Sequence, residues 1–136
     1  LSDSPILCKK SVEYAARIMH AVVNDVPDHI NGNVLNDGLI GNLPANACVE
    51  VPCIVDKRGI TPQAVADLPP HLSAIMQSSI NVQALTVEAI ITGKKEHVYH
   101  AVMMDPHTGA ELNLDQIWKM VDELLDAHAG WLPTLN

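Results

Sequence analysis

The tract from Leu68 to Asp105 constrains this chain more than any other stretch, because it is long, mostly apolar and broken at Gly93. It reads as two helices hinged at that glycine. Pro69-Pro70 suits a first helical turn, where proline's missing N–H has no intrahelical partner. From there Leu72, Ile75, Met76, Ser79, Ile80, Gln83, Ala84 and Val87 recur at three- and four-residue steps, and Val82, Leu85, Ala89 and Ile90 add a second stripe. So wide an apolar face predicts a helix buried on most sides, with the other elements wrapped around it. Gly93, between Thr92 and Lys94-Lys95, suits the left-handed residue that ends a helix. A second helix is expected from Lys95 to Met104, stopped by Asp105-Pro106.

Ahead of this tract the grammar changes. Ser4-Pro5 and Ser11 are candidate helix starts, and Val12, Ala15, Ala16, Met19, Val22 and Val23 keep helical spacing to Asn24-Asp25. Pro27 ends that helix. Turn signals follow at Asn31-Gly32-Asn33, Asn36-Asp37-Gly38, Asn42-Leu43-Pro44 and Lys57-Arg58-Gly59. They bound a small antiparallel sheet of three strands, expected over residues 30–36, 39–40 and 47–55. In the last strand Ala47, Val49, Val51, Cys53 and Val55 share one face, and Cys48, Glu50 and Ile54 the other. Pro52 has no N–H to donate, which predicts an edge strand or an irregular end. A final helix opens at Asn113, with Gln116 completing a capping box. Its apolar stripe is Ile117, Met120, Val121, Leu124, Leu125 and His128; Gly130 closes it and Pro133 prevents resumption.

With 136 residues the chain makes one domain, long enough to bury roughly 68–70% of its unfolded surface. It has no Phe, two Trp and two Tyr, so the core must be aliphatic and few aromatic faces exist to stack on sugars, bases or methylated cations. The net charge is −8, and Lys9-Lys10, Lys57-Arg58 and Lys94-Lys95 are mere pairs of cations. Nucleic acid is not an expected partner. Cys8, Cys48 and Cys53 are an odd set in a chain too large to need stapling; with no glycosylation sequon and no signal-like segment, a reducing cytoplasm is expected. No apolar run is long enough for a membrane span. A start at Leu1 fits a processed, proteolysed or truncated product.

The chain's own chemistry is sparse. His97 and His100 lie one helical turn apart and could share a metal, with His107 as a loop candidate for a third ligand. The plainer reading is two histidines on a half-exposed helix. Cys48 and Cys53 are five apart in a strand, which sends them to opposite faces and precludes a chelate without a bulge. Glu50 and Glu88 sit in apolar sequence surroundings, where desolvation could raise either into a general-acid range; a carboxylate paired to a cation or backbone N–H is the commoner outcome. Asp115, Asp122, Glu123 and Asp126 read as the solvated face of the last helix. Gly38-Leu39-Ile40-Gly41 lacks the spacing and the preceding strand of a dinucleotide turn. Composition and spacing therefore stop at an α+β domain with no catalytic, cofactor-binding or metal residues of its own.

A family resemblance goes further. Asn36-Asp37-Gly38-Leu39-Ile40-Gly41-Asn42-Leu43-Pro44 leads into Val49-Glu50-Val51-Pro52-Cys53, then Asp67-Leu68-Pro69-Pro70-His71-Leu72. Ile80-Asn81-Val82-Gln83 with Val87-Glu88-Ala89, His100-Ala101-Val102-Met103-Met104-Asp105-Pro106 and Leu114-Asp115-Gln116-Ile117 complete the series. In that order, from about Glu13 to Pro133, they resemble the C-terminal part of glycoside hydrolase family 4, in its α-galactosidase and α-glucosidase branch. The resemblance implies a small antiparallel sheet packed with long helices, similar to the C-terminal domain of lactate and malate dehydrogenases, following an N-terminal Rossmann domain that holds NAD. It implies hydrolysis outside the two-carboxylate scheme: oxidation of the sugar at C3, loss of the C2 proton to a base, elimination, water addition and re-reduction, with Mn²⁺ polarising oxygens. The dinucleotide fingerprint, the metal-binding Cys and His and the base lie upstream of the matching region in the family, so none of those roles passes to Cys48, Cys53 or His100. The chain alone is expected to bind neither NAD nor metal and to hydrolyse nothing. It would meet its sugar through the missing domain and associate with copies of itself. A 6-phospho-glycosidase of the same family and a non-enzymatic oligomerisation module are the alternatives.

Overall fold

A computed structural model describes residues 12–136; the expectations for Ser4-Pro5, Cys8, Lys9-Lys10 and Ser11 lie outside them. Its elements run α1 (Ala15–Asn24), β1 (Asp28–Leu35), β2 (Cys48–Asp56), β3 (Gly59–Pro62), α2 (Pro70–Thr92), α3 (Lys95–Met104), α4 (Pro106–Glu111) and α5 (Leu114–Ala127). The sheet is antiparallel in the order β1-β2-β3. The fold is α+β, as expected, but the third strand is not.

Residues 39–40 form a turn with one parallel bridge, Ile40 to Val65, and the third strand is Gly59–Pro62. Lys57-Arg58-Gly59 is the hairpin turn, and Asp56 pairs with Gly59 across it. The hairpin is tied by Asp56, whose carboxylate accepts the Arg58 N–H at 2.8 Å and the guanidinium at 2.6 Å. β2 is consequently the central strand, so of the two outcomes expected from Pro52, an edge position or an irregular end, the edge position does not occur. The proline is tolerated because β3 reaches only to Cys53. Its carbonyl accepts Gln63 N–H at 2.8 Å, so its nitrogen faces Gln63, and the ladder stops at the position where proline has no N–H to return.

The alternation in β2 is as expected: Val49, Val51, Cys53 and Val55 are buried and Cys48 and Glu50 are exposed. With Ala21 of α1, Ile30 of β1 and Ile40, Leu43 and Ala47 of the connecting loop they form one core. A bidentate pair locks α1 to β1: Arg17 Nε donates to Asp28 Oδ2 at 2.7 Å, Arg17 Nη2 donates to Oδ1, and the same nitrogen reaches the His29 carbonyl at 2.9 Å.

A second core lies at the other end, where Tyr99 of α3 meets Ile117 and Val121 of α5. α2 connects the two. It packs against α3 and offers Ile80 to the sheet core, but Ala89 is its one buried residue. The expected burial on most sides does not occur: Ile75 is 66% exposed, and Ile90 and Ile91 are 74% exposed. The rest of the fold lies along one flank of this helix instead of around it.

The hinge is as expected. Gly93 has φ +68° and its N–H closes α2 on the Ala89 carbonyl at 2.9 Å. Asp105-Pro106, read as a stop, is also a start. Asp105 accepts the Thr108 N–H at 2.8 Å with Pro106 in the first turn, giving the extra helix α4 where a loop was expected. The capping box of α5 forms in both directions, at 3.0 and 2.9 Å. That helix ends at Ala127, three residues before Gly130, and His128 is exposed with its Nδ1 2.7 Å from the Leu124 carbonyl.

Candidate functional site

The most organised irregular region is the loop between β1 and β2, built around Asn36. This side chain is fully buried. Its Nδ2 donates to the carbonyls of Ile40 (3.0 Å), Leu43 (3.0 Å) and Pro44 (3.1 Å), and its Oδ1 accepts the Ile40 N–H at 2.7 Å. One carboxamide thus replaces the ladder that a loop folded back on itself lacks. A second amide fastens this loop to the segment entering α2: Asn42 accepts Leu68 N–H at 2.9 Å and donates to the Leu68 carbonyl at 2.8 Å. Gly41 permits the approach, since a Cβ there would stand 2.4 Å from Asp67 Oδ1.

Beside this clip a groove of about 400 Å³ runs between the start of β2 and α2, lined by Asn46, Ala47, Cys48, Ile80, Gln83, Ala84, Val87, Glu88 and Ile91. A smaller hollow of about 200 Å³ adjoins it, with Glu50, Ile75, Met76 and Ser79 in its walls. The structure therefore brings Cys48, Glu50 and Glu88 to one groove system, which the sequence did not suggest. It also corrects the expectation for the two glutamates. Both are exposed, so the apolar enclosure inferred from their neighbours is absent. Cys53 lies on the opposite, buried face of β2, and the two thiols are free.

The histidines do not assemble a centre. The rings of His97 and His100 meet edge-on with centroids 6.4 Å apart, and His107 is exposed on α4. Nδ1 of His97 is buried without a hydrogen-bond partner. Among the described residues no three His, Cys, Asp or Glu side chains converge on a point that could hold a metal ion.

The solvated-face expectation fails at Asp122, which works as a junction. It accepts Lys95 Nζ at 2.7 Å and the Tyr99 hydroxyl, and the Tyr99 ring stacks on Trp118 with centroids 4.1 Å apart. The Lys95 ammonium, and after it the Tyr99 hydroxyl, hold the Asp122 carboxyl below the usual carboxylate range, and the same contacts push Lys95 up. No spacing rule exposes this junction, because its members come from two helices. Cation pairs are likewise engaged: Lys57 with Asp25 at 2.6 Å and Arg58 with Asp56 at 2.6 Å. The described residues thus supply amide-clipped loops, helix junctions and a shallow groove, and among them no three metal-ligating side chains converge.

The residues 2–108 match the family model described as the family 4 glycosyl hydrolase C-terminal domain. An α-galactosidase of Bacillus subtilis is 49% identical over 125 residues, covering 92% of this chain and 29% of that protein. An α-galactosidase of Rhizobium meliloti is 42% identical over 125 residues, covering 92% of this chain and 26% of that one. A crystal structure of a 6-phospho-α-glucosidase from gut microorganisms, in complex with NAD and Mn²⁺, has the same fold: TM-score 0.80, 18% identity, 89% of this chain and 27% of that one. The chain spans less than a third of the length of these relatives.

Proposed function

The chain belongs to family 4 of the glycosyl hydrolases, where it corresponds to the C-terminal domain, and from that premise we propose that it is the C-terminal part of a two-domain α-galactosidase that works with NAD and a divalent metal. The observation that carries this reading is the 49% identity to an α-galactosidase across 92% of the chain. The free thiols of Cys48 and Cys53 support a cytoplasmic setting.

NAD would supply reversible hydride chemistry at the sugar, and the metal Lewis-acid polarisation. The described residues do not fit either group: they contain no glycine-rich turn between strand and helix and no metal-ligating cluster. No reaction step is assigned to them. Their role is mechanical. The Asn36 and Asn42 amides hold the loop beside β2, the sheet holds α1 through Arg17 and Asp28, and α2 presents a long apolar face to polypeptide outside this chain.

A phosphorylated substrate would need unengaged cations. Arg17, Lys57, Arg58 and Lys95 are each bound to an aspartate, so these four described cations are not free to hold a sugar phosphate. The test is turnover of nitrophenyl glycosides by the intact protein, with and without NAD and Mn²⁺. The reading expects cleavage of the unphosphorylated α-galactoside only with both additives, and none by these 136 residues alone. Cleavage confined to 6-phospho-glycosides transfers the assignment to that branch. No turnover of either leaves a non-enzymatic oligomerisation module.

A further inference from the structure

We propose that residues 131–136 form a strap that caps α3 and pins the hinge between α2 and α3, so that releasing the strap lets the two helices move without unfolding either. The N-terminal N–H groups of any helix lack intrahelical partners and are normally met by a side chain of the residue before the helix. α3 has no such cap: Lys94 occupies that position, and a lysine offers no acceptor. The acceptor comes instead from far along the chain. The Asn136 carbonyl accepts Lys95 N–H at 2.9 Å, and the Asn136 N–H donates to the Gly93 carbonyl at 2.7 Å. The same residue thereby meets an orphan donor of α3 and a carbonyl just past α2, bracketing the hinge from both sides.

α2 and α3 also pack directly on each other, and the strap adds its hold at the hinge. Gly93 sits at φ +68°, and nothing lies within 4 Å of where a Cβ would be. Under the strap is an apolar cavity of about 280 Å³, walled by Ala89 and Ile90 of α2, Val98 and Val102 of α3, and Leu132 and Leu135 of the strap. Where this half-open hollow lies, the facing side chains of the two helices are out of contact. The strap's own leucines form one wall of it, so backbone pairing and that wall depend on the same segment.

The experiment is amide hydrogen exchange on the full chain, on a variant ending at Gly130, and on Leu135→Asp in the full chain. The expected result is a protected Lys95 amide whose exchange accelerates roughly tenfold or more in both variants, with helical circular dichroism retained. Adding Lys94→Asp to the shortened variant supplies a side-chain cap for the Glu96 and His97 N–H groups but no acceptor for Lys95. The Lys95 amide should therefore stay fast-exchanging while the helix start is otherwise restored. Recovery of Lys95 protection in that variant would show that general fraying, and not loss of the strap, had exposed it. An unprotected Lys95 amide in the full chain overturns the proposal, as does unchanged exchange in both variants. Loss of helix in both also overturns it, because the segment would then be part of the core and not a releasable strap.

Discussion

Removing the Asn36 carboxamide takes away the partner of the Ile40 N–H and of the Leu43 carbonyl, whereas the Ile40 and Pro44 carbonyls keep the Leu43 and Ala47 N–H groups at 3.3 and 3.1 Å. Each unsatisfied group is costly, and Asn36→Ala should lower stability by about 2–4 kcal/mol, read as a fall in the urea midpoint at constant slope. The sequence marks Asn36-Asp37-Gly38 as a turn, and so it is, with Asp37 and Gly38 at φ 35° and 83°. What spacing cannot show is that this asparagine, four to eight residues from its partners, is the loop's central fastening, since that depends on the chain folding back over it. The pair of Arg17 and Asp28 was hidden for the same reason, donor and acceptor standing eleven positions apart. The Arg17 guanidinium, aided by the His29 N–H, holds Asp28 at about 2 against an ordinary 3.8. The folded carboxyl therefore releases its proton more readily than the unfolded one. Its contribution to stability is complete above pH 3.8 and is lost as pH falls through about 2. Acid titrations of wild type and Asp28→Asn, each followed by urea melts, should show a difference that shrinks across that window; a gap independent of pH would refute this account.

At the level of elements, what was legible followed from local rules. α2 and α3 start and stop where the prolines and Gly93 place them, and the Asn113–Gln116 box starts α5. Gly93→Ala forces a Cβ into the left-handed region and should cost about 1 kcal/mol; Asn113→Ala should cost about the same by removing a cap. Both are measurable as shifts in thermal midpoint, and an unchanged Gly93→Ala midpoint would show that the hinge relaxes to another conformation. The third strand was illegible because Gly59–Pro62 is four residues long, begins with a turn glycine and ends on proline; its strand character comes from pairing with β2. α4 was hidden by the double meaning of Asp-Pro, which stops one helix and caps the next. Of the groove, the sequence showed only that Cys48 and Glu50 share a face of a strand. That α2 carries Glu88 to the same place is a tertiary fact without a local signature.

For the whole molecule, the sequence misjudged what surrounds α2, and that error is informative. Apolar residues all round a helix do signal burial, yet the described residues leave Ile75, Ile90 and Ile91 mostly exposed. We expect polypeptide beyond the described residues to cover them, in keeping with relatives more than three times this chain's length. The separated chain should therefore self-associate, and its charge gives a way to tell how. With a net charge of −8, repulsion between copies opposes contact at low salt and is screened as the Debye length falls to about 8 Å near physiological ionic strength. Association through the α2 face should thus strengthen with added salt, whereas association through ion pairs would weaken. Ile90→Lys with Ile91→Lys adds two cations and removes two exposed apolar side chains. It should shift the light-scattering mass toward monomer at high salt while leaving the unfolding free energy of the monomer within about 0.5 kcal/mol of the parent, as surface changes usually do. If the double variant still associates, the contact lies elsewhere, and α2 is not the face that the rest of the protein covers.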